Sequence, residues 1–78
     1  MRVRIRLDTM TDIAHFVLIV SEVEEDVLLK NDKNLVADGK SFLGAAHAKE
    51  FKNLWCECER DIYNKIKNFV VDKTPDGE

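Results

Sequence analysis

Reactive, membrane-spanning and strongly cationic features are all scarce in this sequence, and each scarcity removes a class of function. It has two cysteines, Cys56 and Cys58, too few for a disulfide framework. They stand two apart in a strand-like segment, so both point the same way and a bond between them would be strained. Thiols in a reducing compartment are expected. The longest apolar-rich run, Ile13 to Val20, falls well short of the ~20 residues that cross a bilayer. A strand-like segment starts at Arg2, leaving no room ahead of it for a charged leader, an apolar run and a cleavage site. A cytoplasmic location is therefore expected.

Positive charge is not in excess either. Net charge is -3 with both signs interspersed, so the long-range attraction of a basic protein for phosphate backbones or anionic lipid is missing. Neither nucleic acid nor a membrane is expected as a partner. The sequence contains no Gly-rich phosphate loop, no nucleophile-base-orienter set and no paired carboxylates in an evident cleft. No enzyme activity and no cofactor are expected. The single proline, Pro75, lies with Gly77 in Lys73 to Glu78, where periodicity is lost; that stretch reads as a flexible tail.

What is present suits one small folded domain over residues 1–72. With 78 residues, 45% hydrophobic and 35% charged, the chain has the composition of a globular protein rather than a disordered one. A chain this short buries only about two thirds of its unfolded surface, so one core and no deep pocket are expected.

Arg2-Val3-Arg4-Ile5-Arg6-Leu7 alternates charged and apolar residues, predicting a strand with one wet and one buried face. Ile13, Phe16, Val17 and Val20 then follow i, i+3, i+4, i+7 spacing, predicting a helix with Thr9 or Thr11 as cap. Short runs at Asp26–Lys30 and Asn34–Ala37 flank Asn31-Asp32-Lys33, whose residue types suit a tight hairpin turn. Asp38 precedes a short helix with Phe42, Leu43 and Ala46 on one face. Leu54 to Glu59 alternates again, with Leu54, Cys56 and Cys58 on one side and Trp55, Glu57 and Glu59 on the other. Ile62, Ile66, Phe69 and Val70 predict a third helix, its dipole favoured by Asp61 at the start and by Lys65 and Lys67 further on. The order is β-α-β-β-α-β-α. Amphipathic helices and one-sided strands pack most economically as an α+β open-faced sandwich, a four-stranded antiparallel sheet with three helices on one face.

The segment Asp38-Gly39-Lys40-Ser41-Phe42-Leu43-Gly44, supported more weakly by Ala14-His15-Phe16-Val17 and the last strand and helix, resembles the HPr phosphocarrier family of the bacterial sugar phosphotransferase system. The resemblance covers nearly the whole chain and implies sheet order 1-4-2-3. It also implies a phosphoryl-accepting His, an Arg two positions on and then a Pro, before and at the start of the first helix. Alignment through Phe16-Val17 puts Thr9, Thr11 and Asp12 at those three places. A threonine hydroxyl lacks the basicity of imidazole and its capacity to hold a labile phosphoryl group, and Asp12 would repel phosphate. The resemblance thus implies a regulatory or protein-interaction relative linked to carbohydrate uptake, not a conventional histidine carrier. A carrier with an unusual acceptor and a ferredoxin-like small-ligand module are the alternatives.

Ser41 matches a serine that some HPr proteins have phosphorylated by an ATP-dependent kinase, and a phosphate at a helix start meets free N–H groups. The plainer reading is a first-turn hydrogen bond. Partner contact through the first two helices is expected at Met10, His15, Leu18, Ile19, Phe42, Leu43 and His47, with one of Leu18 and Ile19 buried and the other exposed. His15 lies off the apolar stripe and reads as solvent-facing. Cys56, Cys58, His15 and His47 are metal-ligand types, but the histidines come from different helices without ligand spacing, so no metal is expected. If the first and fourth strands pair, a register can set Arg2 opposite Glu59, Arg4 opposite Glu57 and Arg6 opposite Trp55. A monomer is expected.

Overall fold

The computed structural model describes residues 1–71; the predicted tail at 73–78 and the domain end at residue 72 lie outside the described residues. Strands β1 (Arg2–Arg4), β2 (Val27–Lys30), β3 (Val36–Asp38) and β4 (Trp55–Cys58) and helices α1 (Met10–Val20), α2 (Phe42–Ala48) and α3 (Tyr63–Ile66) follow in the order β1-α1-β2-β3-α2-β4-α3, the last running into a 3-10 turn at Lys67–Phe69. The strands form one antiparallel sheet in the order β1-β4-β2-β3. This is the α+β open-faced sandwich expected from the patterning. Its strand order is the one the resemblance implies and separates it from the ferredoxin-like arrangement.

The core lies between the sheet and the helices. Val27 and Leu29 of β2, Ala37 of β3, and Cys56 and Cys58 of β4 face Ile13, Phe16 and Val20 of α1, with Ala45, Ala48, Ile62 and Ile66 closing the layer. Each large aliphatic or aromatic side chain buried there contributes roughly 1.5–3 kcal/mol. Phe69 meets Phe16 edge-to-face at 5.6 Å between ring centroids. On the opposite face of the sheet stand Arg2, Arg4, Lys30, Trp55 and Glu57, as the alternation requires.

Three local expectations need correction. Residues 2 and 57, 3 and 56, and 4 and 55 are paired between β1 and β4, two residues away from the register expected. A two-residue slip keeps every side chain on its face, so the hydrophobic pattern cannot choose between the two registers. Backbone bonds choose: Cys58 N–H donates to Met1 O at 3.0 Å, and Ile5 N–H to Leu54 O at 3.0 Å. Beyond Leu54, Asn53 takes a left-handed φ of 54° and turns the chain out of the sheet. Arg6 therefore has no residue opposite it in β4 and pairs instead with Asp8, Nε to Oδ1 at 3.0 Å.

The third helix ends earlier than its periodicity predicts. After Ile66 the chain tightens and then extends, and Val70 bridges Ile5. Arg6 N–H donates to Phe69 O at 2.9 Å and Val71 N–H to Arg4 O at 3.1 Å. β-Branched Val70 and Val71 suit extended backbone, and the segment covers the outer edge of β1.

The second helix buries Ala45 and Ala48, not Phe42 and Leu43, which are exposed. Its cap is Ser41, whose Oγ accepts from Gly44 N–H at 3.1 Å. Asp38 Oδ1 accepts from Lys40 N–H at 2.9 Å, one step before the helix. The hairpin forms as predicted in kind, with a longer connection. Asn31 Oδ1 accepts from the backbone N–H groups of Lys33 and Leu35 at 2.8 and 2.9 Å, and Asn34 adopts φ 70°.

Candidate functional surface on the first two helices

At the start of α1, Thr9 Oγ1 accepts from Asp12 N–H at 3.0 Å, while Asp12 Oδ2 accepts from the backbone N–H groups of Asp8 and Thr9 at 3.0 and 3.3 Å. This is a reciprocal capping box, in which Thr9 satisfies one N–H of the first helical turn, that of Asp12, and Asp12 satisfies the N–H groups of Asp8 and Thr9 just ahead of the helix. Thr11 is exposed in the first turn. The three residues aligned with the His, Arg and Pro motif therefore place a negative carboxylate at the helix start and supply no cation of their own.

Further along α1, Thr11, Ala14, His15 and Leu18 follow i, i+3, i+4, i+7 and all are exposed, forming the helix's outer ridge. Leu18 is 69% exposed and Met10, at the first helical position, 54%. Ile19 is half-buried and packs on the core, so it drops out of the outer surface. One of the Leu18–Ile19 pair is thus out and the other in. His15 also borders a hollow of about 340 Å³ with Arg6, Asp8, Asp12 and Phe69.

The matching surface of α2 carries Leu43, 80% exposed, and Phe42, 41% exposed. Both helices lie on the same side of the sheet and pack against each other. These side chains take no part in the buried core and are available for contact with another molecule. His47 is exposed on α2 and meets Phe51 edge-on, ring centroids 5.6 Å apart. Cys56 and Cys58 face the core. Burial first, then the neighbouring Cys58, pushes the Cys56 thiol up to about 12, which leaves almost no thiolate at neutral pH.

The open face of the sheet holds a polar network that the sequence reading only partly reached. Glu57 accepts from Arg2 Nε and pairs with Lys30 Nζ, each at 2.8 Å. The Arg2 guanidinium stands 3.9 Å from the centre of the Trp55 ring. Trp55 Nε1 and Asn53 Nδ2 donate to the two oxygens of Asp32, at 3.3 and 2.5 Å, and Arg4 Nη2 donates to Asn53 Oδ1 at 3.0 Å. The arginines, Trp55 and Glu57 are legible from their alternation. Asp32 and Asn53 were missed, because a turn Asp and an Asn ahead of a strand signal only chain reversal.

No protein-family model, curated protein or solved structure matches the chain.

Proposed function

We propose that this chain is a cytoplasmic, non-catalytic protein-docking domain of HPr type, which meets a protein of the sugar phosphotransferase system through α1 and α2. The observation that carries the reading is the exposure of Leu18 and Leu43, 69% and 80%, on two helices that share one layer. The sheet order and the Asp38–Gly44 segment support kinship with the HPr family. The capping box of Thr9 and Asp12 argues against phosphoryl carriage, since Asp12 puts a negative charge at the helix start. Ser41 serves as the α2 cap in this reading, and its phosphorylation would alter the rim of the same surface.

The test uses unphosphorylated enzyme I, the general phosphoryl donor of that system, titrated into 15N-labelled protein. Amide shifts concentrated at residues 10–18 and 42–47, with no phosphoryl group gained in intact-mass analysis after phosphoenolpyruvate is added, are expected. Phosphoryl uptake would make the chain a carrier with an unusual acceptor. No shifts at all would remove the phosphotransferase link.

A further inference from the structure

Cys56 and Cys58 are the chain's two cysteines, and both lie in β4, the strand that holds β1 on one side and β2 on the other. Their side chains enter the core, 0% and 6% exposed. Val3 and Leu29 stand opposite Cys56, and Val27 stands opposite Cys58, whose N–H donates to Met1 O at 3.0 Å. Glu57, between the two, is paired with Arg2 of β1 and Leu28 of β2. Its carboxylate is held on the open face by Arg2 Nε and Lys30 Nζ, each at 2.8 Å. The residue separating the cysteines is therefore fixed from both neighbouring strands.

Residues of a strand advance about 3.3 Å each, so side chains at i and i+2 leave the same face with their Cβ atoms about 6.5–7 Å apart. A disulfide needs its Cβ atoms within roughly 3.5–4.5 Å. Closing that gap would pinch β4 at Glu57 and pull it away from Arg2 and Leu28. Because β4 is what joins β1 to β2 and β3, the pinch would divide the sheet. An unfolded backbone carries no such constraint and can turn between the two residues. The folded chain also shields the thiols from reagent: Cys56 is raised to about 12 by burial first and then by Cys58, and exchange begins with a thiolate.

We propose that a Cys56–Cys58 disulfide and the folded domain exclude each other, so that β4 is a redox-sensitive device: the reduced chain folds, and the chain oxidised while unfolded cannot rebuild its sheet. The oxidant is a small-molecule disulfide. One cysteine thiolate attacks it, forming a mixed disulfide and releasing one small thiol; the other cysteine thiolate then displaces the second small thiol and closes the Cys56–Cys58 bond. The two cysteines lose two electrons and two protons, and the small disulfide gains them as two thiols. The α1–α2 surface thereby depends on the surrounding thiol–disulfide balance, whatever that surface meets.

The test equilibrates the 15N-labelled full chain in mixtures of reduced and oxidised glutathione, once in buffer and once in denaturing urea. Alkylation with intact-mass analysis counts free thiols, and the amide spectrum gives the folded fraction. In buffer, loss of both thiols and loss of the folded spectrum should follow one curve, and excess reductant should restore the spectrum. The midpoint ratio of squared reduced to oxidised glutathione should be lower in buffer than in urea by about a thousandfold or more, because oxidation there must first draw the chain out of a folded state that is favoured by at least that factor. The proposal is overturned by equal midpoints in buffer and urea, or by a folded spectrum from molecules that carry the internal disulfide. It is equally overturned if the chain takes up glutathione without closing the bond, or if reductant fails to restore the fold.

Discussion

The carbonyl oxygen of Asp38 lies 2.7 Å from where a Cβ on residue 44 would stand, so Gly44 rests directly on the backbone that leads into its own helix. Its φ is ordinary; the requirement is for space. Gly39 has a similar constraint against Val27, whose Cγ1 and carbonyl oxygen would meet a Cβ at 2.8 and 2.9 Å. The segment that carries the strongest sequence resemblance is therefore also a packing device, seating α2 by way of two glycines and the Ser41 cap.

Gly44→Ala is accordingly expected to destabilise the protein by about 1–3 kcal/mol through overpacking, although alanine is the better helix former by about 1 kcal/mol. Urea unfolding followed by circular dichroism measures it. An unchanged or raised midpoint would mean that the turn at Asp38 yields and that the glycine is not required.

Opposite behaviour is expected on the outer layer. Leu18→Asp and Leu43→Asp should shift stability by no more than about 0.5 kcal/mol, as exposed substitutions do. Binding to a partner recovered through α1 and α2 should nevertheless be lost. Thermal melts paired with calorimetric titration separate the two effects, and a large drop in Tm for either variant would mean that these leucines belong to the fold.

The α1 start offers a complementary check. Thr9→Ala removes the side-chain acceptor of Asp12 N–H and should cost about 1 kcal/mol. If equilibrium unfolding shows no loss, the Thr9 cap contributes nothing to stability.

Acid stability depends on the open face. Lys30 first, then Arg2, holds the Glu57 carboxyl below its usual range against a partly opposing burial effect. The bonds from Asn53 and Trp55 likewise hold Asp32 low. Because both folded-state values are depressed, the unfolded chain binds more protons through this range, and stability rises with pH there. The contribution is complete above the ordinary carboxylate values of about 4 and disappears as pH falls through the lower folded values. Glu57→Gln should flatten the fall in Tm between about pH 4.5 and pH 3; parallel curves for the variant and the native protein would remove this account.

Cys56 should resist alkylation by iodoacetamide in the folded protein at pH 8 and react once the chain is denatured. Burial raises its pKa, which suppresses the thiolate, and also shields the sulfur from reagent. Mass-mapped labelling at Cys56 under native conditions would indicate that β4 opens readily.

Local patterning determined the element types and the faces of the strands and of the first helix. Arg2 to Leu7 and Leu54 to Glu59 alternate, and Ile13, Phe16 and Val20 recur at helical spacing; a period of two or of 3.6 already decides which side chains can share a face. Only the tertiary structure decided the β1–β4 register, because registers two residues apart bury the same side chains and are separated only by where Met1 and Leu54 find backbone partners. It alone ended the third helix, whose pattern runs on through Val70 while the edge of β1 draws that residue out. And it alone brought Asp32 to Asn53 and Trp55, 21 and 23 residues away, because contact across that distance is set by how the hairpin and α2 pack on the sheet, which no local period encodes.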